Sequence, residues 1–273
     1  MKASAKGAEI FYTTRGAGPA CIVLSSIGTK PYERMMPAEL SERMTLAFVD
    51  LRGGGRSTGD ASDLIFDVLA DDLEAVRAAL GVEKIAVLGH SILGVLALEY
   101  GRRRPESVSH VITVGTPPRG DMVWLQAKAT ASFEADASEE RKRVLRENLA
   151  ALPQGASLTQ MLIATTPARF YEPRFDAAAL FAEAEFKPQM FAHLLGALTR
   201  EWDVTSESDS LRVPVLLAHG RYDYTVPCAS WNGLVEKLPT ATMEIFERSG
   251  HHPFVEEPDR FAKVVAKWMA TGR

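Results

Sequence analysis

Short apolar runs recur along the chain, and several of them are apolar on consecutive rather than alternating positions. Consecutive apolar positions are typical of parallel strands that are covered on both faces. The pattern therefore predicts buried strands at Ile10–Thr13, Cys21–Leu24, Leu46–Val49, Ile85–Leu88, Val108–Val114, Val213–Ala218 and Thr242–Phe246.

Helical patterns lie between these runs. From Leu64 to Leu80 apolar residues recur at helical spacing opposite charged ones, with Asp63 as the expected N-cap and Gly81 as the expected stop. After Pro258, apolar residues from Phe261 onward follow the i, i+3, i+4, i+7 spacing of an amphipathic helix. Alternating strands and helices predict an α/β fold, with a mostly parallel, doubly wound sheet and helices on both faces.

One long segment interrupts the alternation. Residues 119–209 are helical in pattern, rich in Ala and Glu, and carry no convincing strand. We predict that they form a helical cap inserted into a core made of residues 1–118 and 210–273, with one structural domain overall. Such an insertion would cover the edge of the sheet where α/β proteins bind ligands.

Bulk properties narrow the classes of function. At 273 residues the chain can bury a large core without disulfides or metals, and a net charge of −4 offers no basic surface for nucleic acid. Its two cysteines, Cys21 and Cys228, form no C-x-x-C pair, and no residue cluster has metal-ligand spacing, so no metal or cofactor is expected. The chain shows neither an N-terminal signal core nor a long apolar span, which predicts a cytoplasmic protein without a membrane partner.

The clearest chemical signal is the segment Ile85–Gly94, in which an apolar strand meets Gly-His-Ser91 and a helical pattern follows at once. A strand–turn–helix of this kind is the setting of a nucleophile elbow, in which a sharp turn exposes a serine hydroxyl. Leu93 stands where the G-x-S-x-G pattern has a small residue, and Gly94 follows it. A serine here could also simply cap the helix.

A serine nucleophile needs a base, and the base needs an orienting acid. Asp223 lies just past the strand that ends in Ala218, and His251 follows the strand that ends at Phe246. Loops after parallel strands emerge at one edge of a sheet, so Ser91, Asp223 and His251 are expected to converge there. Chain order and strand context together predict a Ser-His-Asp catalytic triad.

These motifs resemble those of the α/β-hydrolase superfamily, in particular the branch around proline iminopeptidases and related small esterases. The matching segments are Gly-His-Ser91, Gly-Arg-Tyr-Asp223, Ser-Gly-His251-His-Pro and Asp50-Leu-Arg-Gly-Gly-Gly-Arg-Ser57. The resemblance covers the core on both sides of the cap. It implies Ser91 as nucleophile, His251 as general acid/base and Asp223 as the acid that fixes the His251 tautomer, and it selects His251 over the adjacent His252.

The same resemblance implies an oxyanion hole built from two main-chain amides. One is the amide of Ile92, directly after the nucleophile. Family members usually take the other from a His-Gly loop, and here Ser25-Ser26 stands in its place, which makes the amide of Ile27 the candidate.

The sequence leaves the substrate open. Aromatic residues of the cap are candidates for a substrate pocket, namely Trp124, Phe170, Tyr171, Phe191 and Trp202. The first hypothesis is a serine hydrolase that cleaves a small-molecule acyl substrate (an ester, lactone or amide) through an acyl-enzyme. Alternatives are a proline iminopeptidase-type aminopeptidase, and a non-catalytic ligand receptor on a hydrolase fold.

Overall fold

A computed structural model describes residues 1–206 and 210–271, so the predicted cap boundary at Asp209 lies outside the described residues. Eight strands form one sheet in the order β1-β2-β4-β3-β5-β6-β7-β8. Their bounds are β1 Lys2–Ala5, β2 Ala8–Arg15, β3 Ala20–Ser25, β4 Thr45–Asp50, β5 Ile85–His90, β6 Val108–Val114, β7 Val215–Gly220 and β8 Ala241–Phe246.

The sheet is parallel from β3 to β8, whereas β1 and β2 pair antiparallel at one edge. Every residue of β3, β5 and β7 is buried, as the consecutive apolar runs predicted. The fold-class prediction of a mostly parallel sheet with helices around it is therefore confirmed. The four-residue strand β1 was missed because its alternating polar residues give no apolar run.

Helices connect and cover the strands. Their bounds are α1 Thr29–Met35, α2 Ala38–Ser41, α3 Phe66–Ala79, α4 Leu93–Arg103, α5 Met122–Asp136, α6 Glu139–Ala150, α7 Leu158–Ala164, α8 Thr166–Arg169, α9 Pro188–Ala192, α10 Pro253–Glu256 and α11 Pro258–Thr271. A π-helical turn, His193–Leu198, continues α9.

The predicted N-cap of α3 is wrong. The helix begins at Phe66 after an extended Ile65, whereas Asp63 belongs to a short 3₁₀ turn. Asp60 caps that turn, because its Oδ1 accepts the Ser62 amide at 2.8 Å. A local side-chain cap thus places the helix start two residues later than the apolar spacing suggested.

The segment between β6 and β7 carries α5 to α9, in agreement with its helical pattern. Within it, the buried guanidinium of Arg141 holds the end of α8, donating to the carbonyl oxygens of Pro167 at 2.5 Å, Phe170 at 2.7 Å and Tyr171. These bonds satisfy carbonyl groups that have no partner inside a helix end. Arg141 therefore fixes the position of α8, which matters because α8 contacts the loops described below.

Within residues 1–206 and 210–271, no helix combines the length and the apolar character that a membrane-spanning segment requires.

Candidate active site

Ser91 lies in the turn between β5 and α4, with a left-handed φ of 57°. Its amide donates to the carbonyl oxygen of Val114 at 2.8 Å, which ties the turn to the end of β6. A Cβ at Gly89 would lie 2.2 Å from the carbonyl oxygen of Leu93, so the turn closes only with glycine there. A strained residue held by close backbone contacts is the geometry of a nucleophile elbow.

Leu93 departs from the G-x-S-x-G motif, and Gly94, one residue later, takes the place of the missing small residue. Leu93 is buried in the core, whereas a Cβ at Gly94 would lie 1.8 Å from Oγ1 of Thr116. That hydroxyl donates to the carbonyl oxygen of Ser91 at 3.0 Å. The close approach that requires glycine is therefore at position 94, and a leucine at 93 leaves the turn intact.

Asp223 and His251 come from loops after β7 and β8 and meet in a direct hydrogen bond. Nδ1 of His251 donates to Oδ2 of Asp223 at 2.7 Å, and both side chains are buried. Oδ1 of Asp223 accepts the amides of Thr225 and Val226, each at 2.8 Å. Because a carboxylate accepts the Nδ1 proton, Nε2 of a neutral His251 carries a lone pair.

Nε2 of His251 is buried and has no hydrogen-bond partner among the described residues. Ser91 and His251 both lie beside the end of β6, because the Ser91 amide bonds Val114 and a Cβ at the next residue, Gly115, would lie 2.7 Å from Nδ1 of His251. A direct Ser91–His251 hydrogen bond is not formed in this resting geometry. Such contacts are often long before substrate binds.

Burial and neighbouring charges set the charge state of Asp223 and His251. Burial raises the pKa of Asp223 to about 6, and the two amides that it accepts oppose the rise, so the group is a carboxylate at pH 7. Burial, and after it the charge of Arg169, lowers the pKa of His251 well below its usual value. The imidazole is therefore neutral and able to accept a proton.

The His251 loop is held by α8 and by a half-buried carboxylate, Glu256. The His251 amide donates to the carbonyl oxygen of Arg169 at 2.6 Å. Glu256 accepts the amides of Gly250 at 2.7 Å and Tyr171 at 2.6 Å, and burial raises its pKa to about 7. The predicted cap and the His251 loop therefore share hydrogen bonds.

Two histidines flank His251. Nε2 of His90 donates to the carbonyl oxygen of His251 at 3.0 Å, so Nδ1 accepts the Tyr32 hydroxyl at 3.1 Å. His252 is buried and stacks on Phe170 with ring centroids 4.6 Å apart. The contribution of His90 and Tyr32 was missed, although His90 lies within the elbow motif itself.

A cavity of about 100 Å³ opens beside Ser91. Its walls are mostly apolar, and the described lining residues include no carboxylate. They are Ser26, Ile27, Tyr32, Met35, His90, Ser91, Ile92, Leu93, Leu162, Arg169, Phe181, Phe186, Phe191 and His252.

Of the five predicted substrate-binding residues, Phe191 lines this cavity. Phe170 is fully buried behind His252, on which it stacks, and therefore supports the wall without forming it. Tyr171 is exposed and packs edge-on against Tyr222 at 4.8 Å, on a different surface.

The two tryptophans also lie elsewhere. Trp202 is buried, and its Nε1 donates to Oε1 of Glu99 at 2.8 Å, so it anchors the segment before β7 to α4. Trp124 lies under the Arg119 guanidinium at 5.3 Å. Both pair with charged groups, which apolar helical spacing does not reveal.

Both predicted oxyanion donors border the cavity, but their amides differ. Ile92 stands at the start of α4, where helix amides have no partner four residues back. The Ile27 amide instead donates to Oγ of Ser25 at 3.2 Å, and that hydroxyl donates to the Gly28 carbonyl oxygen at 2.7 Å. Ser25, which stands in place of the histidine of the family motif, therefore already accepts the Ile27 amide that was predicted as the second oxyanion donor.

The Asp50–Ser57 segment has a structural part in the fold. Arg52 forms a buried ion pair with Asp72, with Nε 3.0 Å from Oδ2, and Oγ of Ser57 donates to the Asp50 carbonyl oxygen at 2.7 Å. The ion pair joins the loop after β4 to α3, and the Ser57 bond closes the loop on the end of β4. Among residues 1–206 and 210–271, no group of three or more His, Cys, Asp or Glu side chains is arranged to hold a metal ion.

Known proteins share this sequence and fold. The AB hydrolase superfamily protein YclE of Bacillus subtilis is 30% identical over 272 residues, covering 96% of both chains. A pimeloyl-[acyl-carrier protein] methyl ester esterase of Chromobacterium violaceum is 28% identical, covering 96% of this chain and 99% of the esterase. A solved proline iminopeptidase from Mycobacterium smegmatis superposes with a TM-score of 0.75 at 20% identity, covering 100% of this chain and 98% of that one, which supports the fold alone.

The profile of the α/β-hydrolase fold matches residues 23–258, which includes the elbow and the loops of Asp223 and His251. This match covers most of the chain, and the sheet order and the relatives above agree with it. The protein is a hydrolase and belongs to the α/β-hydrolase family.

Proposed function

We propose that this hydrolase cleaves a small carboxylic ester, lactone or amide through an acyl-enzyme on Ser91, with His251 as general acid/base and Asp223 as its orienting acid. The observation that carries the proposal is the buried 2.7 Å bond between Nδ1 of His251 and Asp223, which leaves Nε2 of a neutral imidazole without a partner. Such an imidazole is the base that a serine nucleophile needs.

In the first half-reaction Oγ of Ser91 attacks the carbonyl carbon while Nε2 of His251 takes the hydroxyl proton. The hydroxyl of Ser91 must reach Nε2 of His251 for this transfer, and Nε2 is free to accept it. The Ile92 amide stabilises the tetrahedral oxyanion, and Asp223 stabilises the imidazolium. His251 then protonates the leaving group, and the acyl group stays on Ser91.

In the second half-reaction a water attacks the acyl carbonyl carbon and gives its proton to His251. Collapse of the second tetrahedral species returns that proton to Oγ of Ser91 and releases the carboxylic acid. No cofactor enters either step. An ester is the preferred substrate because the Chromobacterium violaceum relative is named as a methyl ester esterase.

The experiment compares 4-nitrophenyl butyrate turnover by the wild type, Ser91→Ala and Ser62→Ala. Ser62 is an exposed serine in the turn before α3 and serves as the matched control. Ser91→Ala should lower kcat by at least about 10⁴-fold, whereas the control should retain it. Equal activity of the wild type and Ser91→Ala would refute the proposal, and a serine-reactive fluorophosphonate should label Ser91.

Proline iminopeptidase activity is the second candidate, suggested by the shared fold. A free amino terminus needs a carboxylate partner near the nucleophile, and the described residues lining the cavity include no carboxylate. Asp203, an acidic residue of the predicted cap, is bound to Arg119 at 2.9 Å. We therefore expect proline 4-nitroanilide to be a poorer substrate than the ester at the same concentration.

A further inference from the structure

Arg169 ends α8 and brings a guanidinium to the wall of the Ser91 cavity. The residue is half-buried, its Nε is fully buried without a hydrogen-bond partner, and its side chain forms no ion pair with the described residues. Shielding a guanidinium from water, even in part, is costly unless the group gains a carboxylate or carbonyl oxygens as partners. The lack of a partner for the Arg169 guanidinium therefore needs an explanation.

Two other arginines show how this fold normally satisfies a buried guanidinium. Arg52 binds Asp72 through two nitrogens, and Arg141 donates to three carbonyl oxygens. Arg169 has neither arrangement. Its backbone is nevertheless firmly placed, because its carbonyl oxygen accepts the His251 amide at 2.6 Å and would lie 2.3 Å from a Cβ at Gly250.

The cavity offers nothing to neutralise this charge. Its remaining polar side chains are hydroxyls and histidines, and the rest of the wall is apolar. Burial holds His90 and His252 neutral by lowering the pKa of each well below its usual value. Asp223 is the nearby anion, but both of its oxygens already accept hydrogen bonds from His251, Thr225 and Val226.

The unpaired charge also opposes catalysis. The positive charge of Arg169 lowers the pKa of His251, so it disfavours the imidazolium that must form when Ser91 gives up its proton. An anion bound to Arg169 would remove this opposition at the moment when substrate is present. Substrate charge would then assist the general base.

We propose that Arg169 is the recognition site for a carboxylate group of the substrate, so that this enzyme acts on esters that carry a second, free carboxylate. The inference rests on the proposed function of Ser91. A guanidinium presents a planar fork that matches a carboxylate through two parallel hydrogen bonds, and a carboxylate is a small anion suited to a cavity of about 100 Å³. Arg169 would select the substrate, while Ser91 and His251 carry out the chemistry.

The test compares two esters of equal chain length, mono(4-nitrophenyl) adipate and 4-nitrophenyl hexanoate. Arg169→Met removes the cation, Arg169→Lys keeps the charge without the fork, and Arg43→Met changes an exposed arginine as the charge-matched control. Thermal unfolding of each variant establishes that it is folded.

The wild type and Arg43→Met should favour the adipate monoester, with a lower KM than for the hexanoate. Arg169→Met should raise KM for the adipate monoester by about thirty-fold, as expected for loss of charge-assisted hydrogen bonds, and should change KM for the hexanoate by less than about threefold. Arg169→Lys should restore part of the preference. Equal KM values for both esters in the wild type, or equal losses for both in Arg169→Met, would overturn the inference while leaving the proposed function intact.

Calorimetric titration with adipate separates recognition from turnover. The Ser91→Ala variant should bind adipate as the wild type does, and Arg169→Met should bind it at least about tenfold more weakly. Equal adipate affinity in wild type and Arg169→Met would overturn the inference. Failure of the wild type to hydrolyse either ester would instead refute the proposed function, and the titration would still decide whether Arg169 binds a carboxylate.

Discussion

Replacing Asp223 by asparagine tests whether the acid sets the His251 tautomer. The new amide keeps the shape of the carboxyl group but carries one oxygen and one NH₂. Since the amides of Thr225 and Val226 both point at one carboxylate oxygen, at 2.8 Å each, the amide oxygen of the variant should take that place. Its NH₂ then faces Nδ1 of His251, which must accept, and Nε2 carries the proton.

The expected loss follows from these bonds. Restoring the working tautomer requires the new amide to flip, which breaks two backbone bonds worth about 1 kcal/mol each and leaves their buried donors unsatisfied at about 1 kcal/mol or more. Losing the charge opposite the imidazolium costs about 2 kcal/mol more. A sum near 5 kcal/mol corresponds to a loss of about 4,000-fold in kcat, at about 1.4 kcal/mol per factor of ten.

The assay is steady-state turnover of the ester that the wild type prefers. Asp136→Asn, an exposed acid at the end of α5, is the matched control and should keep wild-type kcat. Thermal unfolding should show little change, because the variant is isosteric. A kcat for Asp223→Asn within about tenfold of the wild type would show that the backbone amides do not impose the tautomer, and the reasoning would fail.

Gly89→Ala brings a methyl group within 2.2 Å of the Leu93 carbonyl oxygen, so we expect a loss of about 3 kcal/mol in unfolding free energy by urea titration, and wild-type stability would contradict this. Arg52→Met leaves Asp72 buried and unpaired, so the same titration should show a loss of about 3–5 kcal/mol, and a loss below about 1 kcal/mol would be inconsistent with a buried pair. Protonation of His251 removes the base, and burial lowers the pKa of this imidazole. We therefore expect kcat/KM for a neutral ester to stay level as pH falls through 6.5 and to decline only at more acidic pH. An acid limb at or above pH 6.5 would contradict the lowered pKa.

Matched variants serve as controls for these three experiments. Gly196→Ala has open space around its Cβ and should unfold like the wild type. Adding Asp72→Leu to Arg52→Met removes the unpaired carboxylate and should recover most of the lost stability. Arg169→Met removes a positive charge that lowers the pKa of His251, so its acid limb should move to higher pH.

The sequence by itself determined the strand order along the chain and the positions of the candidate chemistry. Seven of the eight strands follow apolar runs, because burial on both faces of a parallel sheet leaves a local mark in the sequence. Strand β7 begins at Val215 instead of Val213 because Pro214 between them has no amide proton to donate. Asp223 and His251 were found because each follows a strand, and parallel strands end at one edge.

Only the tertiary structure decided the contacts between segments distant in sequence. Leu93 is compatible with the elbow because Thr116, from another loop, makes its close approach at Gly94. Ser25 takes the Ile27 amide, Glu99 pairs with Trp202, and Arg169 reaches the cavity without a partner. Periodicity reports whether a residue is buried and says nothing of which group it meets, so packing alone settles hydrogen-bond partners, tautomers and unpaired charges.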